Sequence, residues 1–222
     1  MIFDHSPTAL TKWFYALYLF SVAKNGVSAK ELQRHIGVTY KCAWRMCKQI
    51  RLLMQQTGAP LLSGIVEIDE TYIGGKRRTH VGKWDNKTAV IGIVEKKKGS
   101  GRVRAIATKR ADATVALPFI RAVARQGTEI QTDESKIYHR VKREYAHRYI
   151  NHSKEEYSKD GISTNTIEGF WSQMKRSIDG TYHSVSPKYL QLYVNEFVYR
   201  YNLRDQVIAP SLLELAWSQP VE

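Results

Sequence analysis

The sequence has little cysteine. Among its 222 residues only Cys42 and Cys47 occur. They stand five apart in a helical pattern, which suits neither a disulfide framework nor a paired-ligand zinc site and fits a reducing compartment. Long apolar runs are missing too. The longest, Trp13 to Ala23, falls far short of the ~20 residues a bilayer span requires. No basic segment followed by an apolar one opens the chain, so no secretory signal is visible. Repeats and low-complexity tracts are absent. Acidic residues are scarce, 21 against 34 Lys and Arg, for a formal net charge of +13. That excess points to a polyanionic partner. A membrane surface is disfavoured, because no basic amphipathic helix leaves an apolar underside free for lipid.

What is present divides near residues 55 to 63, where Gly58 and Pro60 interrupt a helical pattern. Residues 1–60 read as wholly helical. Leu10, Trp13, Phe14, Leu17 and Tyr18 keep helical spacing. Ser28 and Glu31 form a capping box that opens a short helix. Gly37 makes a turn, and Thr39 is a fitting N-cap for the next helix. That helix places Ala43, Met46, Cys47, Ile50, Leu53 and Met54 on one stripe and Lys41, Trp44, Arg45 and Lys48 on another. A short helix, a turn and a basic second helix make a helix-turn-helix pattern. The region carries 8 Lys and Arg against 2 acids, which favours DNA as the partner. A plain dimerisation bundle is the alternative.

From residue 64 the apolar period shortens. GIVEIDETYIGG (64–75), TAVIGIVEK (from Thr88) and RVRAIATK (from Arg102) read as strands, the last two as a hairpin over KKKGSGR. TVALPFIRAVAR (114–125) reads as a helix with Pro118 in its first turns. TEIQTDES (128–135) reads as a strand, KIYHRVKREYA (136–146) as a helix and HRYINHS (147–153) as a fifth strand. NTIEGFWSQMKRSI (165–178) reads as an amphipathic helix with Ile167, Phe170, Trp171, Met174 and Ile178 inward. The order matches an α/β, RNase H-like fold: a mixed five-stranded sheet with flanking helices. Expected domains are a helix-turn-helix region (1–60), an RNase H-like domain (64–205) and a C-terminal tail (206–222).

Three acids gain addresses from this order. Asp69 ends the first strand, Asp133 ends the fourth, and Glu168 sits in the first turn of the last helix. The first and fourth strands of such a sheet are neighbours, so Asp69 and Asp133 come side by side. Apposed carboxylates repel unless a cation lies between them. Hard oxygen donors with open positions suit Mg²⁺, which also takes phosphate oxygens as ligands. Two such ions ~4 Å apart serve phosphoryl transfer. Each acid has a plainer reading: Asp69 starting a turn before Gly74 and Gly75, Asp133 capping a helix, and Glu168 pairing with Asn165 in a capping box. His147 and His152 flank a strand and read as structural more readily than catalytic. Trp171 reads as core rather than a base-stacking platform. The loop 76–87, with Lys76, Arg77 and Arg78, reads as a phosphate-contacting loop.

VEIDETYIGGK (66–76), TDESKIY (132–138), HRYINHS (147–153), TNTIEGFWSQMKRSIDGTYH (164–183) and LYVNEFVYRYNLR (192–204) together resemble the ISXO-like insertion-sequence transposases of the DDE superfamily. The resemblance runs from about Gly64 to Arg204. It implies Asp69, Asp133 and Glu168 as metal-binding catalytic acids, with Lys175, seven residues after the third acid, as a further catalytic and DNA-contacting group. It implies Mg²⁺ or Mn²⁺, two ions, as cofactor. The implied activity is cleavage at insertion-sequence ends and strand transfer into target DNA. Implied partners are double-stranded DNA, both element ends and target, and further copies of the chain assembled on it. The expected location is cytoplasmic, on the nucleoid. The contrasting expectation is a non-catalytic DNA-binding repressor or truncated element product. Two departures from the group stand out: no CxxC pair for the N-terminal zinc ribbon its members commonly carry, and Ser163 where many have His.

Overall fold

A computed structural model describes residues 2–4, 6–74, 87–97, 99–150 and 162–218. The loop residues Lys76, Arg77 and Arg78, together with His152, lie outside the described residues.

Three helices come first: α1 (Leu10–Val22), α2 (Ala29–Ile36) and α3 (Tyr40–Leu53). The start of α2 is set by Ser28, whose hydroxyl accepts from the Glu31 N–H. Gly37 ends it in the left-handed region at φ 61°, where a residue lacking Cβ is unstrained. Thr39 caps α3 by accepting from the Cys42 N–H. The stripe from Ala43 to Met54 is buried as its spacing requires. This core is not closed within the first region. It includes Tyr199 of α6 (Leu190–Asn202), and Leu212 and Ala216 of α7 (Ile208–Ser218). The segment 206–222, read as a tail, therefore carries a helix whose apolar face completes the N-terminal core.

The sheet comprises β1 (Ile65–Ile73), β2 (Thr88–Glu95), β3 (Val103–Thr108), β4 (Glu129–Thr132) and β5 (Ala146–Tyr149), in spatial order β3-β2-β1-β4-β5. β1, β2 and β3 pair antiparallel, while β4 joins β1 and β5 joins β4 in parallel. One face packs on α4 (Ala113–Val123) and the other on α5 (Asn165–Ser177) and α6. This is the mixed five-stranded sheet with flanking helices of the RNase H-like fold.

Two readings change. KIYHRVKREYA is not a helix but two short 3₁₀ turns, Lys136–Tyr138 and Val141–Arg143. Tyr138, Val141 and Tyr145 are buried at helix-like spacing, but the chain must turn back within a few residues to enter β5. Asp69 also does not end its strand. β1 continues to Ile73 because β2 stays paired with it as far as Thr88. The parallel partner β4 pairs only with Ile65 to Glu67, so Asp69 lies just beyond the last residue of β1 that pairs with β4.

Candidate active site

Alternation along β1 sends Glu67 and Asp69 toward α5, and Ile68 and Glu70 toward the α4 face. Asp133 follows the last residue of β4. Its Oδ1 accepts from the Ser135 N–H at 3.0 Å, so it holds the turn leading into the 3₁₀ segment Lys136–Tyr138 and does not cap the helix that its position suggested. Burial pushes the Asp69 carboxyl up to about 7, and the negative charges of Glu70 and Asp133 add to the rise. Glu70 is raised as well, mainly by burial and further by Asp133, although the Tyr138 hydroxyl donates to it at 2.6 Å. Asp69, Glu70 (on the opposite face of β1) and Asp133 thus raise the negative charge at one end of the β1–β4 seam.

Trp171 binds this cluster to α5. Its indole N–H donates to Asp69 Oδ2 at 3.0 Å, and its ring is buried. The ring lies over Gly92, the residue opposite Asp69 in the β1–β2 register. A Cβ at Gly92 would stand 2.5 Å from the ring. A glycine inside a strand often marks such a close approach, a signal that the reading of TAVIGIVEK as a plain strand did not use.

Glu168 occupies the first turn of α5 and is exposed. The Thr164 hydroxyl donates to it at 2.8 Å. Asn165 does not cap this helix with Glu168. The cap comes from Glu67, whose Oε2 accepts from the N–H groups of Thr166 (2.8 Å) and Ile167 (3.0 Å). Its Oε1 accepts from the hydroxyls of Thr166 and Ser163. Glu67 is fully buried, with the Lys96 ammonium 3.8 Å away. Lys96 also donates to Ser163 and Gln131. A carboxylate at a helix N-terminus satisfies free N–H groups and opposes the helix dipole. Sequence reasoning passed over Glu67; an acid at an inward position of an apolar strand was its signal.

Among the described residues no three His, Cys, Asp or Glu side chains lie close enough to hold a metal ion. Asp69 and Asp133 are brought together; Glu168 is turned to Thr164. Lys175 is exposed near the end of α5, beside Tyr72, Ile73 and Gly74. The imidazole Nε2 of His147 lies 2.9 Å from the Thr132 hydroxyl, a structural contact next to Asp133, and burial lowers its pKa.

Of the outward residues of α3, Lys41 is exposed. Arg45 donates to the Ser6 hydroxyl at 2.8 Å and lies against the Trp13 ring. Lys48 lines a crevice with Trp44, Arg51 and Tyr189. Arg51 is buried and paired with Glu196 of α6 at 2.7 Å. Both cysteines are free thiols, and burial pushes Cys47 up to about 11.

The sheet order is that of an RNase H-like unit, and Asp69 and Asp133 stand at its β1–β4 seam. The model of the ISXO2-like transposase domain matches residues 61–202, and the chain belongs to that family. It is 25% identical over 217 residues to an uncharacterized protein in the transposable element ISH50 of Halobacterium salinarum, covering 90% of this chain and 72% of the relative. Among solved structures it is similar to a chain of the simian T-cell lymphotropic virus intasome (14% identity, TM-score 0.43, 93% of this chain and 77% of that one). It is also similar to the HTLV-2 integrase catalytic core domain in complex with magnesium (16% identity, TM-score 0.38, 64% and 87%). Among the described residues no helix is long and apolar enough to cross a membrane.

Proposed function

We propose that this chain cuts DNA at the ends of an insertion sequence and joins the freed 3′ end to target DNA, using Asp69, Asp133 and Glu168. The observation that supports the reading is the carboxyl of Asp69, pushed up to about 7 by burial and by the charges of Glu70 and Asp133. Such crowding is costly unless a cation neutralises it, and carboxylate oxygens are the donors that Mg²⁺ or Mn²⁺ takes. Asp69 and Asp133 would hold the ion or ions, with Glu168 joining once it turns away from Thr164. A divalent cation there supplies positive charge to the phosphate oxygens during in-line displacement. Trp171 orients Asp69 through its indole N–H, and Glu67 fixes the start of the helix that carries Glu168. Lys175 is seven residues, close to two turns, beyond Glu168, so the two share one stripe. Its ammonium is placed to clamp a neighbouring phosphate rather than to transfer a proton. Lys41 and the loop around Lys76, Arg77 and Arg78 add phosphate contacts, and further copies of the chain assemble on double-stranded DNA. Arg45 and Lys48, engaged on Ser6 and in the α3–α6 crevice, are weaker contacts than their spacing suggested.

A second reading, a DNA-binding product that does not cut, is favoured by the turn of Glu168 toward Thr164 and by the lack of a three-acid cluster among the described residues. A strand-transfer assay separates the two. Its substrate is a duplex built from the DNA that flanks the gene, with Mg²⁺ or Mn²⁺ present. Asp69→Asn, Asp133→Asn and Glu168→Gln should each lower cleavage by orders of magnitude while DNA binding stays within about twofold. Lys175→Ala should slow cleavage and loosen its position, and Lys175→Arg should retain most of the activity. A triad variant that joins strands at the wild-type rate removes that residue from the assignment. A wild-type chain that binds the ends and never cuts them establishes the second reading.

A further inference from the structure

After α5 the chain adds a single π-helical turn, Ile178–Tyr182, and then His183 at φ 60°, the only non-glycine residue with positive φ among the described residues. Such turns and such backbone are found disproportionately at functional sites. The His183 imidazole Nδ1 lies 2.9 Å from the Asp179 carbonyl oxygen, and the side chain is exposed.

Two concavities meet at this turn. The larger, of about 680 Å³, opens between the turn and the N-terminal ends of α2 and α3; Lys30, Arg34, Tyr40, Trp44 and Tyr189 line it. The smaller, of about 390 Å³, lies between Tyr72 to Gly74 at the end of β1 and Lys175 near the end of α5. His183, Ser184 and Val185 line both. The depression therefore leads from the strand that carries Asp69 to the first turns of α2 and α3.

Its chemistry combines cations with ring faces. Lys30, Arg34 and Lys175 are exposed, and two carboxylates, Glu31 and Asp179, also border it. Tyr40 is 52% exposed. Trp44 is held edge-on by Tyr189 at 5.2 Å and 75°, so its ring is set in place before any ligand arrives. Phosphate-binding cations interleaved with fixed aromatic faces bind a strand whose bases are unstacked. A duplex, with its bases turned inward, has no use for those rings.

We propose that this groove holds an unpaired DNA strand next to the phosphate that is cut. The bases lie against Tyr40 and Trp44. The phosphates lie on Lys30 and Arg34 and, where the strand approaches Asp69, on Lys175. This assignment rests on the transposase reading, and it adds a single-stranded segment to a substrate otherwise double-stranded.

The test uses the full chain, a fluorescent oligothymidylate and a blunt duplex of equal length. The double variant Arg34→Ala, Tyr40→Ala changes two exposed side chains, and circular dichroism checks its fold. It should weaken the single strand at least ~5-fold, the low end for losing one stacked base, and the duplex less than ~2-fold. Oligothymidylate should quench tryptophan fluorescence in the wild type and much less in Trp44→Phe. Equal weakening of both DNAs, no weakening, or unchanged quenching in Trp44→Phe overturns the proposal. Asp69→Asn separates this site from the catalytic reading. Wild-type cleavage by Asp69→Asn, with intact, Arg34- and Tyr40-dependent strand binding, counts against the catalytic assignment alone. Cleavage by the wild-type chain with no such strand binding counts against the groove alone.

Discussion

The indole N–H of Trp171 donates to Oδ2 of Asp69 at 3.0 Å, so a buried core residue of α5 also orients the central acid of the sheet. This hydrogen bond favours the ionised carboxylate, whereas burial and the charges of Glu70 and Asp133 oppose it. The opposing effects win and bring the group to about 7.

Asp69 should therefore titrate near neutrality in metal-free protein. An acid whose pKa is raised on folding binds its proton more tightly in the folded state. Its effect on stability is unfavourable once it ionises, so stability should fall as pH rises from about 4 to about 7. The Trp171 indole resonance, followed by NMR, should shift with a midpoint near 7. Asp133→Asn should lower that midpoint by removing one of the charges that raise it, and Mg²⁺ should lower it further. A flat indole signal between pH 5 and 8 would mean that Asp69 does not change its ionisation in that range.

Gly92→Ala tests the close approach beneath the Trp171 ring. With a Cβ 2.5 Å from that ring, α5 or the indole must move. We expect a loss of ~1–3 kcal/mol, the usual cost of overpacking, measured by urea unfolding. The same variant should lose the pH-dependent indole shift, because the hydrogen bond to Asp69 is broken.

Glu67→Ala should cost on the order of 3 kcal/mol, since it strands two N–H groups at the head of α5, that of Ile167 buried and that of Thr166 partly so. Glu67→Gln should recover part of that loss through its carbonyl oxygen, although its amide faces donors. Hydrogen exchange at Ile167 gives a local readout: protection should fall in both variants, and more in the alanine. Unchanged exchange there would show that the start of the helix is held by other groups.

Glu196, on α6, joins α3 to the helices packed on the sheet. It is fully buried, accepting from Arg51 at 2.7 Å and from Arg200 at 2.8 Å. Removing it leaves two buried cations, so Glu196→Ala should cost ~3–5 kcal/mol. Burial opposes its ionisation, but Arg51 and Arg200 outweigh burial and hold its carboxyl below the ordinary value. Its contribution is therefore present above the ordinary carboxylate pKa and lost as pH falls through the lower folded value. Acid unfolding of the wild type and the variant should converge below that point.

Most of the element order was legible because periodicity records burial. The alternation in GIVEIDETYIGG, the apolar run TAVIGIVE and the stripe Ile167, Phe170, Trp171 and Met174 each imply one element and one buried face. The caps Ser28 and Thr39 were legible because capping is local, involving residues only three apart. Asp69, Asp133 and Glu168 could be named from strand order. The sequence by itself thus determined the elements and their inward faces, and its ordered motifs its family. Tertiary structure alone decided what depends on residues far apart in the chain. Glu67 caps a helix about a hundred residues away, Gly92 makes room for Trp171, and Arg51 finds Glu196, 145 residues along the chain. It also decided that residues 136–146 turn twice rather than run as a helix, and that α7 closes the N-terminal core. Local spacing specifies which side chains face inward, but only the packed fold specifies which partners meet there.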